Sequence, residues 1–141
     1  MGWRDGALLG VRLLMAVLFL GGAAQKWLSP GDVEGLLAGR GLPEWLLWPA
    51  MLFDLGAGVA LVLGLWTVPT ALALAAYCGA TSVFHLIPTD PWQMTIFVKN
   101  WAIAGGCLAM AAAGPGRIAL TLSPPEWLRA APEPLRPRSR R

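Results

Sequence analysis

Apolar residues run along this chain in four stretches, each long enough to cross a bilayer, separated by short breaks rich in polar residues, proline or glycine. They cover about 7–28, 45–65, 68–88 and 92–113. Between the first two, Ser29-Pro30-Gly31-Asp32 supplies an N-cap residue, a proline at the first helical position and an acid in the first turn. That pattern predicts a short helix from Pro30 to Ala38, ended by Gly39 and Gly41. An uncharged turn, Gly64 to Pro69, joins the second and third stretches, and Thr89 to Pro91 joins the third and fourth. Connections this short predict neighbours of opposite direction, hence an all-α, integral membrane antiparallel four-helix bundle with short interfacial helices. Gly56, Ala57, Ala60, Gly79, Gly105 and Gly106 are expected to let helix backbones approach closely.

The bundle should end near residue 116, leaving 117–141 as a basic, Pro/Arg-rich tail. Within it, Ser123-Pro124-Pro125-Glu126-Trp127 has the capping pattern of a short interfacial helix, and the remainder has the composition of a disordered segment. The N-terminus could be read as a cleaved signal peptide, since a basic start leads to Gly21-Gly22-Ala23-Ala24. Arg12 within the apolar part, and the further spans downstream, favour a retained helix.

Composition agrees with a membrane protein and excludes an ordinary soluble domain: 56% of residues are hydrophobic, 13% are charged, and the mean hydropathy is +0.57. The net charge of +3 lies mostly in the tail and is explained by positive-inside topology rather than by nucleic acid. Arg4, Arg12, Arg117, Arg129, Arg136, Arg138, Arg140 and Arg141 share the side of the termini, whereas Lys26 and Arg40 stand among Asp32, Glu34, Glu44 and Asp90 on the other. Both termini are therefore expected in the cytoplasm, in a bacterial inner membrane. Trp27, Trp45, Trp48 and Trp92 fall at the outer boundary and Trp3, Trp66 and Trp127 at the inner one, with Trp101 the exception.

Four ionisable residues, one per span, then fall in the outer half of the bilayer. Counting inward at 1.5 Å per residue puts Lys26 and His85 about 3 to 5 Å below the boundary and Asp54 and Lys99 about 10 to 12 Å below it. Charged groups at such depth face the bundle interior or a water-filled cavity. Gln93, Asn100 and Cys107 share one face of the last span, and Cys78, Ser82 and His85 form a stripe on the third. Arg12 belongs to the inner end. Equal depth makes Asp54 the expected counterion of Lys99. With His85 neutral, Lys26, Lys99 and Asp54 leave one positive charge, which suits an anion or a carbonyl gaining negative charge, such as a quinone ring. Structural readings stand beside these: a snorkelling Lys26, a hydrogen-bonding His85, an architectural Asp54–Lys99 pair, Asp90-Pro91 as a helix cap, and Cys78 and Cys107 as core packing. The cysteines lack metal-ligand spacing, so no metal site is expected.

Arg12, Gly22 with Gln25-Lys26, Asp54, His85, Asp90 with Gln93, and Lys99-Asn100 followed by Gly105-Gly106 together resemble the DoxX family of small four-span bacterial membrane proteins. The resemblance extends from Arg12 to about Gly116. It implies a four-helix bundle serving as the membrane component of a redox system, with quinone as the implied cofactor and a soluble oxidoreductase as the implied partner. Lys26, Asp54, His85, Gln93, Lys99 and Asn100 are the expected polar pocket. One histidine and two isolated cysteines cannot hold a bis-histidine haem or an iron-sulfur cluster, so electrons would pass through a bound quinone or a partner protein. Two other readings stand beside it: a non-enzymatic scaffold whose basic tail and short interfacial helices recruit soluble partners or anionic lipid, and a small transporter or channel subunit that draws on the same buried charges.

Overall fold

A computed structural model describes residues 2–120 of the chain. The expected interfacial helix after Ser123 and most of the basic tail lie outside the described residues. Helix α1 (Trp3–Leu28) runs into α2 (Pro30–Ala38); a 3-10 turn (Glu44–Leu46) opens α3 (Leu47–Leu63); α4 (Thr67–Ser82) continues as a 3-10 turn (Val83–His85); and α5 is Pro91–Ala113. Four helical segments, Trp3–Leu28, Glu44–Leu63, Thr67–His85 and Pro91–Ala113, are long and apolar enough to cross a membrane. The first begins four residues earlier than the hydrophobic pattern predicts. The third stops at His85 rather than 88, because Leu86 leaves helical geometry (φ −76°, ψ 77°) ahead of Pro88.

The short helix α2 has the predicted bounds, but the Ser29 side chain does not cap it. Ser29 also closes α1, with its backbone N–H donating to the Gln25 carbonyl at 2.8 Å, and the end of α1 fixes its backbone. At the other end Gly41 turns left-handed (φ +67°) and lets the Leu42 N–H reach back to the Leu37 carbonyl at 3.0 Å. Asp90 does cap α5: its Oδ1 accepts from the N–H groups of Trp92 (2.9 Å) and Gln93 (3.2 Å), with Pro91 in the first turn.

The spans pack as two intimate pairs, α1 with α3 and α4 with α5, and touch less across the pairs. Close approach occurs at glycines only partly foreseen. Gly58 admits Leu20 of α1, whose Cγ would lie 2.7 Å from an added Cβ, and Gly106 admits Met15. Gly56 and Gly105, expected in that role, face open space. The core between the pairs is built from Ala16, Phe19, Leu61, Leu74, Cys78, Cys107 and Met110. Leu14, Val17, Leu52 and Val98 are exposed, as a surface solvated by lipid tails allows. Trp3, Trp27, Trp45, Trp48, Trp66 and Trp92 are exposed near the helix ends, and Trp27 meets Trp48 edge to face at 6.2 Å. Trp101, the exception to the two belts, lays one edge of its ring over Gly79.

Arg12 holds the end of the bundle nearest the N-terminus. It is 1% exposed, and its guanidinium donates to four backbone carbonyls. Nε reaches Leu61 O and a terminal nitrogen reaches Val62 O, both at 3.0 Å, while the other terminal nitrogen serves Pro115 O, also at 3.0 Å, and Ile118 O. The first two carbonyls belong to the last turn of α3, where the helix dipole places negative charge. The other two lie beyond α5, where the chain folds back and the Leu120 N–H donates to Leu63 O at 2.9 Å. Gly64 makes room for this clamp: it sits at φ +75°, and a Cβ there would lie 2.7 Å from the guanidinium. Replacing Arg12 with methionine removes the side-chain donor from all four carbonyls in a water-poor setting, and although Leu61 O keeps the Gly64 N–H at 3.2 Å, each carbonyl left unpaired costs about 1–3 kcal/mol. Arg12→Met should therefore lose about 3 kcal/mol or more of stability in denaturant titration of the detergent-solubilised protein. Arg12→Lys should recover only part of it, because an ammonium cannot present the planar fork.

Candidate functional site

At the opposite end the two pairs diverge and enclose a cavity of about 750 Å³. Its walls come from all five helices, including α2, which lies across it with Asp32, Val33, Leu36 and Leu37 turned inward. Lys26, Asp54, His85, Gln93, Lys99 and Asn100 all line it, together with apolar side chains such as Phe84, Ile96 and Ile103.

The charges are arranged differently from the expectation. Lys26 Nζ donates to Asp54 Oδ2 at 2.7 Å, so the aspartate is paired with α1 rather than with Lys99 of α5. The reason is geometric: α1 and α3 form one of the intimate pairs, and Gly22 brings the α1 backbone so near that a Cβ there would lie 3.4 Å from the carboxylate. The lysine stem leans back toward the N-terminus of its helix, into the membrane, which cancels the difference in depth. Asp54 is 2% exposed. Oδ1 has no hydrogen-bond partner of good geometry among the described residues, although Tyr77 is close enough to interact with the carboxylate electrostatically. Lys99 is more exposed and has no ion pair among the described residues. The expected excess of one positive charge is also corrected, because Asp32 joins the lining: two lysines face two aspartates.

The histidine is held by its neighbours on both sides. His85 Nδ1 lies 2.7 Å from Gln93 Oε1, a contact between the end of α4 and the first turn of α5. Arg40, from the segment after α2, donates to Val83 O at 2.7 Å and Leu86 O at 3.2 Å, closing the 3-10 turn that carries His85. Of the stripe expected on α4, Cys78 and His85 reach the cavity. Ser82 does not, and its hydroxyl donates to Gly79 O at 2.7 Å. Cys107 likewise lies in the core rather than on the cavity wall. Tyr77 and Thr81 occupy the wall instead. Tyr77, Thr81 and His85 follow one another at intervals of four, a signal the sequence does contain. Asp32 and Arg40 carry no such signal, because their positions depend on how α2 folds over the mouth.

Each cation should therefore matter differently to stability. Lys26→Met leaves a buried carboxylate without its partner and should cost about 3 kcal/mol in denaturant titration, with most of it regained in Lys26→Met/Asp54→Leu. Lys99→Met should change stability by less than about 0.5 kcal/mol. A greater loss for Lys99→Met than for Lys26→Met would contradict the observed pairing.

Known proteins carry the same plan. The DoxX family model matches residues 7–86, ending just after His85 and before α5. The inner membrane protein YqjF of Escherichia coli (strain K12) is 31% identical over 114 residues, covering 80% of this chain and 88% of its own. The inner membrane protein YphA of the same organism is 30% identical over 128 residues, covering 83% and 89%. No solved structure matches significantly. With four membrane-length helices in one bundle, this chain belongs to the DoxX family and is a multi-pass protein of the bacterial inner membrane.

Proposed function

We propose that this protein is the membrane component of an oxidoreductase system and binds a quinone headgroup in the cavity between its two helix pairs. The observation that carries the reading is Lys99: a cation on the wall of a 750 Å³ cavity with no ion pair among the described residues, in a lining that also includes Asn100, His85 and Gln93. Cavities of this size with mostly apolar walls and a few convergent polar groups suit small amphipathic ligands. A quinone ring would rest on Ile96, Ile103 and Phe84, with a carbonyl oxygen accepting from Lys99 and oriented by Asn100 and Gln93. The Lys26–Asp54 pair is internally neutralised, so in this reading it holds the wall and Lys99 supplies the field. Since the chain lacks a haem or cluster ligand set, a soluble oxidoreductase would exchange electrons with the bound quinone. The distribution of basic residues favours cytoplasmic termini and a cavity toward the periplasmic face.

Quinone binding by the purified protein in nanodiscs tests the reading. A hydrogen bond from a charged donor contributes about 1.5–3 kcal/mol, so Lys99→Met should weaken binding roughly 10- to 100-fold while leaving the fold intact. Wild-type affinity retained in both Lys99→Met and His85→Ala would refute it.

A further inference from the structure

The contact between His85 and Gln93 bears on the polarity of the only histidine on the cavity wall. Gln93 Oε1 lies 2.7 Å from His85 Nδ1, and with the amide oxygen, an acceptor only, facing the ring, the hydrogen sits on Nδ1. In the neutral ring Nε2 is then a lone-pair acceptor. The contact is held from three directions. Asp90 fixes the first turn of α5 by accepting from the Gln93 N–H at 3.2 Å. Arg40 binds the carbonyls of Val83 and Leu86 that flank the histidine. The chain between the two helices is tied by the Asp90 N–H donating to Ile87 O at 2.9 Å.

We propose that, within the quinone reading on which this rests, the cavity prefers the hydroxyl-bearing reduced form, the quinol, and that Gln93 is the positioning residue that makes His85 Nε2 its acceptor. A quinone headgroup offers carbonyl oxygens to the site, and an oxygen lone pair facing the Nε2 lone pair is repulsive. A quinol hydroxyl is both donor and acceptor. It can give its hydrogen to Nε2 and keeps its lone pairs for a donor such as the Lys99 ammonium, which lines the same cavity. Histidine here acts as an acceptor toward the ligand, the reverse of a donor to a quinone carbonyl.

The protein contains a single histidine, so 15N NMR of the full chain in nanodiscs reads its tautomer without ambiguity. The expected spectrum has the proton on Nδ1 and an unprotonated Nε2; a proton on Nε2 in the neutral ring overturns the proposal. Binding is then compared for decylubiquinone and for its quinol under anaerobic conditions. One hydrogen bond gained in place of a repulsive contact should make the quinol bind roughly 3- to 10-fold more tightly. Gln93→Leu should abolish that preference, leaving the two forms with equal affinity. Equal affinity for the two forms in the wild-type protein overturns the quinol preference alone. Failure of both forms to bind overturns the quinone reading and the preference with it.

Discussion

Water is scarce inside a bilayer, so a charge the sequence places there needs a partner within the bundle or a place on a water-filled cavity. Helix α1 carries two such charges, and α3 answers both. Arg12 meets the carbonyl ends of α3 and of the chain beyond α5, and Lys26 meets the carboxylate of Asp54. The solutions differ in kind. At one end a guanidinium with five donors is spread over backbone dipoles, and at the other a compact ammonium faces one buried anion. Together they fix α1 against α3 near both ends, and Leu20 seated over Gly58 fills the contact between them.

The second pair is organised by hydrogen bonds rather than by charge pairing. Asp90 begins α5, Gln93 meets His85, and Arg40 reaches from the other half to the end of the α4 segment. Toward the N-terminal end the halves are drawn together by Met15 against Gly106 and by the Arg12 clamp. Toward the other end the bridge is α2 and its following segment, and the space beneath it is the cavity. The opening between the pairs thus follows from clamping the bundle at one end and roofing it at the other.

This division gives the two lysines separate work. Lys26 is committed to Asp54, and a ligand that displaced it would expose a buried carboxylate. Lys99 has no such commitment among the described residues and stands beside Asn100 on the same wall. Polar groups around the cavity are therefore of two sorts, those paired within the fold and those, such as Lys99, without an ion pair among the described residues. His85 is held through Nδ1, which lies 2.7 Å from Gln93 Oε1.

Much of the architecture follows from one-dimensional pattern. The number of spans and the bounds of α2 can be read from hydrophobic length, capping residues and breakers, because those signals act within a few residues of the backbone they shape. So can the cap at Asp90 and the tryptophan belts. That Lys26, Asp54, His85, Gln93, Lys99 and Asn100 share one end of the bundle is implied by counting depth, since a helix advances by a fixed rise per residue. Which of them touch is not implied. Depth alone matched Asp54 with Lys99, whereas rotation about the helix axes and the choice of α1 as the intimate neighbour of α3 gave it to Lys26. The same rotation decided that Gly58 and Gly106, and not Gly56 and Gly105, admit a neighbouring side chain. It also decided that Thr81 rather than Ser82 faces the cavity. Asp32 and Arg40 became part of the site only because α2 folds over the mouth. The sequence by itself determined the spans, the bounds of α2 and the cap at Asp90, which are local along the chain. The tertiary structure decided the pairing of charges and the existence of the cavity, because both depend on the azimuth at which each helix meets its neighbours.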